Sequence, residues 1–155
     1  MEVSYRNANP DDLQLFFDWA NDPEARSNSY NSNLISLAEH TDWYLRKIND
    51  HHTLFYIAEV ANHPAGMVRF DIKKENAIVS ISIDKNFRRK GLAAVLLTDC
   101  CQYYFEKQSN PVHAYIKSTN LASVQSFKKA GFMFFRNETV NEVESQIFIK
   151  EKENE

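Results

Sequence analysis

Val79, Ile81 and Ile83 alternate with Ser80 and Ser82, the two-residue period of a strand with one buried face, and predict a strand over 77–84. Strand-like runs at 53–60 and 65–72 predict two more, joined by a turn at Asn62, His63 and Pro64. Shorter strand patterns occupy 3–6, 112–117, 132–135 and 144–150. Elsewhere the spacing is helical. Leu13, Phe16, Phe17 and Ala20 follow Asn9-Pro10-Asp11-Asp12, with Asn9 as N-cap, Pro10 in the first turn and two acids facing the positive end of the helix dipole. Asp22-Pro23 is expected to end that helix, leaving 24–33 as a polar connection. Ser36 and Glu39 bracket a capping box that opens a second helix with Trp43, Tyr44 and Ile48 on its apolar side. A third helix carries Leu92, Val95, Leu96 and Tyr103. A fourth, capped by Asn120, carries Leu121, Val124 and Phe127 and ends at Gly131, where a left-handed cap belongs.

The order is strand, two helices, three strands, helix, strand, helix, two strands. It predicts a mixed α/β (α+β) fold, one mostly antiparallel sheet of about seven strands flanked by about four helices. No repeat or linker interrupts it, so residues 1–150 are expected to form one domain and 151–155 a frayed tail. A chain of 155 residues suits that reading, because it buries enough surface to fold without staples.

Composition removes several classes. Eighteen Lys and Arg against 21 Asp and Glu give a net charge of −3, which weighs against a nucleic-acid partner. No stretch approaches the ~18 apolar residues of a membrane span, and MEVSYRNANP lacks a signal-peptide pattern. Cys100 and Cys101 are adjacent on a helix, so a bond between them is implausible and a cytoplasmic setting is expected. The five His (His40, His51, His52, His63, His113) lack metal-ligand spacing, so no metal is expected.

The strongest chemical signal is the strand-to-helix junction at 88–93. Helix N-termini carry unpartnered N–H groups and bind anions, and Gly91 allows close backbone approach. Arg88, Arg89 and Lys90 add positive charge, and Leu92 and small Ala93 open the helix. No Gly-Lys-Ser/Thr follows, which excludes a Walker loop.

Arg88-x-x-Gly91-x-Ala93 after an alternating strand resembles the acetyl-CoA pyrophosphate loop of GCN5-related N-acetyltransferases. Asn120-x-x-Ser123-x-x-x-Phe127-Lys128-Lys129-Ala130-Gly131-Phe132 resembles that family's second signature, and the two stand at the family spacing. The resemblance covers essentially the whole chain. It implies a splay between the fourth and fifth strands that admits the pantetheine arm, pairing with backbone near Ile81, Ser82 and Ile83. A backbone N–H near Ile83 would hold the developing oxyanion. The 88–93 loop would clamp the pyrophosphate, and Asn120 would bond along the arm or simply cap its helix. Phe127 stands where the family often has a Tyr that protonates the leaving thiolate, so water, the substrate ammonium or another hydroxyl such as Tyr103 or Tyr115 would serve. The stretch before the loop lacks the family's frequent glutamate. Asp71, or a water held by it, is the candidate base.

The acceptor reading rests on Trp19, Arg26, Ser29, Tyr30, Asn31, His40 and Arg69, with Trp43 nearby. The pattern resembles the branch that acetylates the 4-amino group of nucleotide-linked deoxy-aminosugars, as in pseudaminic acid biosynthesis. Arg26 would hold a nucleotide phosphate there and aromatic faces would stack on sugar or base. Acceptors of other kinds stay open: a protein N-terminus, a polyamine or an aminoglycoside. So does a non-catalytic acyl-CoA-binding module. Homodimers are frequent in the family, and none is specified here.

Overall fold

Over residues 1–154, which the computed structural model describes, the chain forms seven strands and five α-helices. In chain order they are β1 (Val3–Asn7), α1 (Leu13–Ala20), α2 (Pro23–Asn28), α3 (Leu37–Ile48), β2 (Thr53–Val60), β3 (His63–Ile72), β4 (Ala77–Ile83), α4 (Leu92–Lys107), β5 (Val112–Lys117), α5 (Leu121–Lys129), β6 (Met133–Val140) and β7 (Val143–Lys150). One sheet runs β1-β2-β3-β4-β5-β7-β6, antiparallel throughout except at β4–β5.

The sheet separates two apolar layers. On one face Tyr56, Val68, Phe70 and Phe148 pack with Leu96 and Leu97 of α4 and Val124 and Phe127 of α5. On the other, Phe55 and Ile57 of β2 pack with Phe16 and Trp19 of α1 and Tyr44 of α3. Each such side chain contributes about 1.5–3 kcal/mol by leaving water. Cys100 and Cys101 are free and wholly buried, and burial pushes the Cys101 thiol up to about 12.

Three differences from the sequence expectation have local causes. Asp22-Pro23 opens a helix instead of merely ending one: the Asp22 carboxylate accepts from Ala25 N–H at 3.1 Å and Pro23 takes the first helical position, so α2 occupies part of the polar stretch. The β2–β3 turn is the pair Ala61 and Asn62, both left-handed (φ 51° and 65°), while His63 and Pro64 begin β3. The last hairpin also turns on two left-handed residues, Asn141 and Glu142 (φ 47° and 67°), which lets β6 run on to Val140.

Gly131 is left-handed (φ 91°), as expected. Its N–H donates to the Lys128 carbonyl at 3.1 Å and that of Phe132 to the Phe127 carbonyl at 3.0 Å, with the two phenyl rings 4.9 Å apart. Gly66 sets the spacing of β3 on β4, since a Cβ there would stand 2.6 Å from the Ser82 carbonyl oxygen. Residues 151–154 follow β7 without regular structure, and Glu155, the end of the expected tail, lies outside the described residues.

Candidate functional site

β4 and β5 pair only at Ala77–Val112 and Ile78–His113. Beyond Ile78 they part, although β4 stays paired with β3 along its length and β5 with β7. Ile81, Ser82 and Ile83 therefore border an open slot between parallel strands, and the main-chain groups they turn toward it lack a β5 partner. An extended chain bearing amides fits such an edge.

At the mouth of the slot the Asp84 carboxylate accepts from Asn86 N–H at 2.9 Å, closing a short turn before the loop. Arg89 (φ 62°) and Gly91 (φ 75°) are both left-handed, and α4 follows at once. No side chain caps α4, although side-chain oxygens of Asp22, Ser36 and Asn120 cap α2, α3 and α5. The N-terminus of the longest helix thus keeps free N–H groups and the positive end of its dipole. A Cβ at Gly91 would meet nothing within 4 Å, so backbone conformation alone makes the demand for glycine there. The space beside it is open to an anion.

The three basic side chains divide. Arg89 is 85% exposed and Lys90 is exposed, its ammonium 5.8 Å from the Phe87 ring. Arg88 is engaged inside the protein: Nη2 donates to Asp22 at 2.8 Å, Nε to the Ile83 carbonyl at 3.1 Å, and Nη1 lies 2.7 Å from Glu24. Burial alone would raise the Asp22 carboxyl, but Arg88 and the Ala25 N–H outweigh it and hold it below the usual range. Arg88 acts as a strut between loop and α2. On α5, Asn120 Oδ1 accepts from Ser123 N–H at 3.2 Å, which is its capping role. Leu92 and Phe127 are both 4% exposed and belong to the core beside α4, while Ala93 sits half-buried in the first turn.

Most residues read as acceptor ligands are tied up in the same way. The Trp19 indole N–H donates to Asp84 at 2.9 Å, joining α1 to the end of β4. Arg26 donates to the carbonyls of Ala20, Asn31 and Asn33 (2.6, 2.8 and 3.1 Å) and to Ser29 Oγ (3.1 Å), so it braces its own loop. Ser29 Oγ donates to the Ala25 carbonyl, and Asn31 Oδ1 accepts from Asn33 N–H. His40 is 2% exposed and stacks on Tyr44, its Nε2 3.2 Å from the Leu13 carbonyl, so it belongs to the core and not to an acceptor pocket. Tyr30 O–H donates to Ser145 at 2.7 Å and closes the loop over β7.

Asp71 does not have the surroundings of a base. Lys47 and Arg69 donate to it at 2.8 and 3.0 Å, and their charges overcome burial to hold the carboxyl below its usual range, opposite to the shift a base needs. Arg69 also donates to Ser80 at 3.1 Å and lies over Trp43, 4.9 Å from the ring centre. Tyr103 packs against Tyr5 and Tyr56, strands away from the slot.

On β5 the sequence reading singled out Tyr115 as a candidate hydroxyl but passed over His113 and Lys117 as site residues. Val112, Ala114 and Ile116 are buried toward α4 and α5, so His113, Tyr115 and Lys117 present half-buried side chains on the face that carries α1 and α3. His113 sits at the last paired position before the slot, and burial, with the nearby charge of Arg136, pushes its imidazole below the ordinary value. The strand period alone placed these three on one face, but only the register puts them at the parting of the strands. Among the described residues no cluster of three metal-ligating side chains occurs, and no helix is long and apolar enough to cross a membrane.

The model of the acetyltransferase (GNAT) family matches residues 13–132. No curated protein sequence matches the chain. Among solved structures, spermidine N-acetyltransferase from Vibrio cholerae, in complex with CoA and spermine, aligns with a TM-score of 0.86 at 17% identity, covering 96% of this chain and 95% of that one. Aminoglycoside acetyltransferase AAC(6')-Ib with coenzyme A and kanamycin gives 0.84 at 16% identity, covering 97% and 95%. Ribosomal-protein-alanine N-acetyltransferase from Brucella melitensis gives 0.82 at 19%, covering 96% and 99%. At these identities the likeness is one of fold.

Proposed function

Because this chain belongs to the acetyltransferase (GNAT) family, we propose that it transfers the acetyl group of acetyl-CoA to a primary amine of a small cytoplasmic acceptor by direct attack in a ternary complex. The observation that carries this reading is the parting of β4 from β5 after Ile78 beside the uncapped start of α4. The pantetheine arm pairs with the main-chain groups of Ile81 and the N–H of Ile83 that face the slot, while the diphosphate takes the N–H groups at the α4 terminus, with Arg89 and Lys90 adding charge. A main-chain N–H of that edge, near Ile83, faces the thioester oxygen as it gains charge. The amine attacks the carbonyl carbon, the C–S bond breaks, and the thiolate leaves. His113, neutral at pH 7, takes the amine proton directly or through water, and Tyr115 is the hydroxyl on the same face able to protonate the thiolate.

For the acceptor, the bordering carboxylates favour one class over another. Asp22, Asp71 and Asp84 are each bonded to a donor, Lys47 and Arg69 being the partners of Asp71, whereas Lys117 donates only to the Ser27 carbonyl and so carries its charge with no carboxylate against it among the described residues. A polycation such as a polyamine gains little there. A nucleotide-linked 4-amino sugar, with its phosphates and hydroxyls, suits it better, although Arg26 and Lys47 are already engaged and leave the anion to Lys117. The test incubates the protein with acetyl-CoA and a panel of amines and follows free thiol. Release with any amine supports the enzyme; aminosugar nucleotides should turn over faster than spermidine. Tight acetyl-CoA binding with no release from any amine would make the chain a binding module, and no binding would remove the reading altogether.

A further inference from the structure

The far end of α4 carries a set of groups that acetyl transfer does not use. β1 lies beside it: Tyr5 and Asn7 pair with Ala58 and Tyr56 of β2, so their side chains share the sheet face toward α4. With Tyr103, Glu106 and Lys107 of α4 they line an open cleft of about 380 Å³, within the size range of small-molecule sites. Tyr56 forms part of its wall and is 7% exposed, yet its hydroxyl has no hydrogen-bond partner among the described residues. Buried hydroxyls are seldom left so, because an unmade hydrogen bond costs more than a made one gains. α4 is 16 residues long, so about 24 Å of helix separates this cleft from the loop at Gly91.

The charge around the cleft is negative. Arg6 pairs with Ile57 and so turns its guanidinium to the opposite face, where it is bonded to Asp12 and lies 3.5 Å from Glu59. Asp99 accepts from the Tyr5 hydroxyl at 2.5 Å, and neither Asp99 nor Glu106 forms an ion pair among the described residues. The last turn of α4 adds the negative end of its dipole, against one exposed lining ammonium, Lys107. Burial above all pushes the phenols of Tyr5, Tyr56 and Tyr103 above their ordinary value, and the charge of Asp99 or Glu106 acts on each in the same direction. The Tyr103 ring stands 5.5 Å from that of Tyr5, edge to face, and 5.8 Å from that of Tyr56. Electron-rich rings beside unpaired carboxylates attract cations and repel anions. We propose that this cleft binds a compact primary ammonium ion carried on an apolar body. Its N–H donates to the Tyr56 phenol oxygen, its charge lies against the Tyr5 and Tyr103 rings, and Glu106 supplies the counter-charge.

The experiment titrates the full chain, without acetyl-CoA, with benzylammonium, benzyltrimethylammonium and benzyl alcohol, and follows amide NMR shifts. Benzylammonium binds with a dissociation constant of about 1 mM or below, and its shifts gather on Tyr5, Asn7 and residues 103–107 while Gly91 and Leu92 stay still. The neutral alcohol binds at least about tenfold more weakly. Tyr56→Phe removes only the unpaired hydroxyl. It weakens benzylammonium about tenfold and leaves benzyltrimethylammonium, which has no N–H, within about twofold. Glu106→Gln, at an exposed position, weakens both cations about threefold, a difference that added salt removes. No binding up to the solubility of benzylammonium, shifts confined to the slot between β4 and β5, or equal binding of the alcohol would each overturn the proposal. So would a Tyr56→Phe variant that treats the two cations alike. Should that variant fail to fold, unchanged cation binding in Glu106→Gln overturns the proposal on its own.

Discussion

Arg88 is where the expected role and the observed contacts diverge most, and a double-mutant cycle with Asp22 separates them. The guanidinium is 20% exposed and the Asp22 carboxylate 15%, joined at 2.8 Å, with a further bond to the Ile83 carbonyl at 3.1 Å. Shielded hydrogen bonds to charged groups are worth about 1.5–3 kcal/mol. The Glu24 arm, 46% exposed on its acidic side, adds less than about 1 kcal/mol. Arg88→Ala should therefore lower the stability by about 2–3 kcal/mol. Asp22→Asn, which keeps an oxygen for Ala25 N–H, should cost about 1–2 kcal/mol. The double variant should fall short of the sum by about 1 kcal/mol or more, read as midpoints of urea unfolding at constant slope. Both single variants should also weaken acetyl-CoA binding, because the strut holds the loop. Asp22 is itself an anion and would repel a phosphate, so a loss of affinity on its neutralisation can only be positional. If Arg88→Ala weakens binding while leaving the midpoint unchanged, and Asp22→Asn changes neither, Arg88 is a phosphate ligand and the strut is wrong.

Gly91→Val should fold, since the space around a Cβ there is empty, and lose about 1–2 kcal/mol to the left-handed backbone; calorimetric titration should show acetyl-CoA affinity reduced at least tenfold. His40 is buried with its pKa depressed mainly by burial, so the folded protein binds fewer protons than the unfolded chain once pH falls below the ordinary His value of about 6.5. Its contribution is present above that pH and is lost on acidification, at up to about 1.4 kcal/mol per pH unit until the folded pKa is passed. His40→Phe should flatten that limb of a stability-against-pH curve. For His113, turnover should fall on the acid side below the ordinary His range, and His113→Gln should lower turnover and erase that limb while leaving acetyl-CoA affinity within twofold.

Period and spacing carried most of the element order: the alternation at 79–83, the cap at Asn120 and the left-handed Gly131 all stand where local rules put them. Asp22-Pro23 misled because the same two residues end one helix and begin the next, and only the Ala25 N–H bond reveals the second role. The uncapped start of α4 was legible for a similar reason, since a helix N-terminus after Gly91 is a local feature. The acceptor side was not. Whether Arg26, Arg69 or Asp71 is free depends on partners from Ala20, Lys47 and Ser80, which lie on other elements or across turns. His113 looked like one residue among five until the β4–β5 register put it where the strands part.

The central claim is that the acyl carrier lies between β4 and β5 and is gripped at the start of α4. Amide hydrogen exchange with and without coenzyme A measures this directly. The claim predicts slowed exchange at Ile81 and Ile83, whose N–H groups face the slot, and over the first turn of α4 from Leu92, with β1 and β2 unchanged. Protection confined to other strands, or none near Gly91 at saturating ligand, would contradict it.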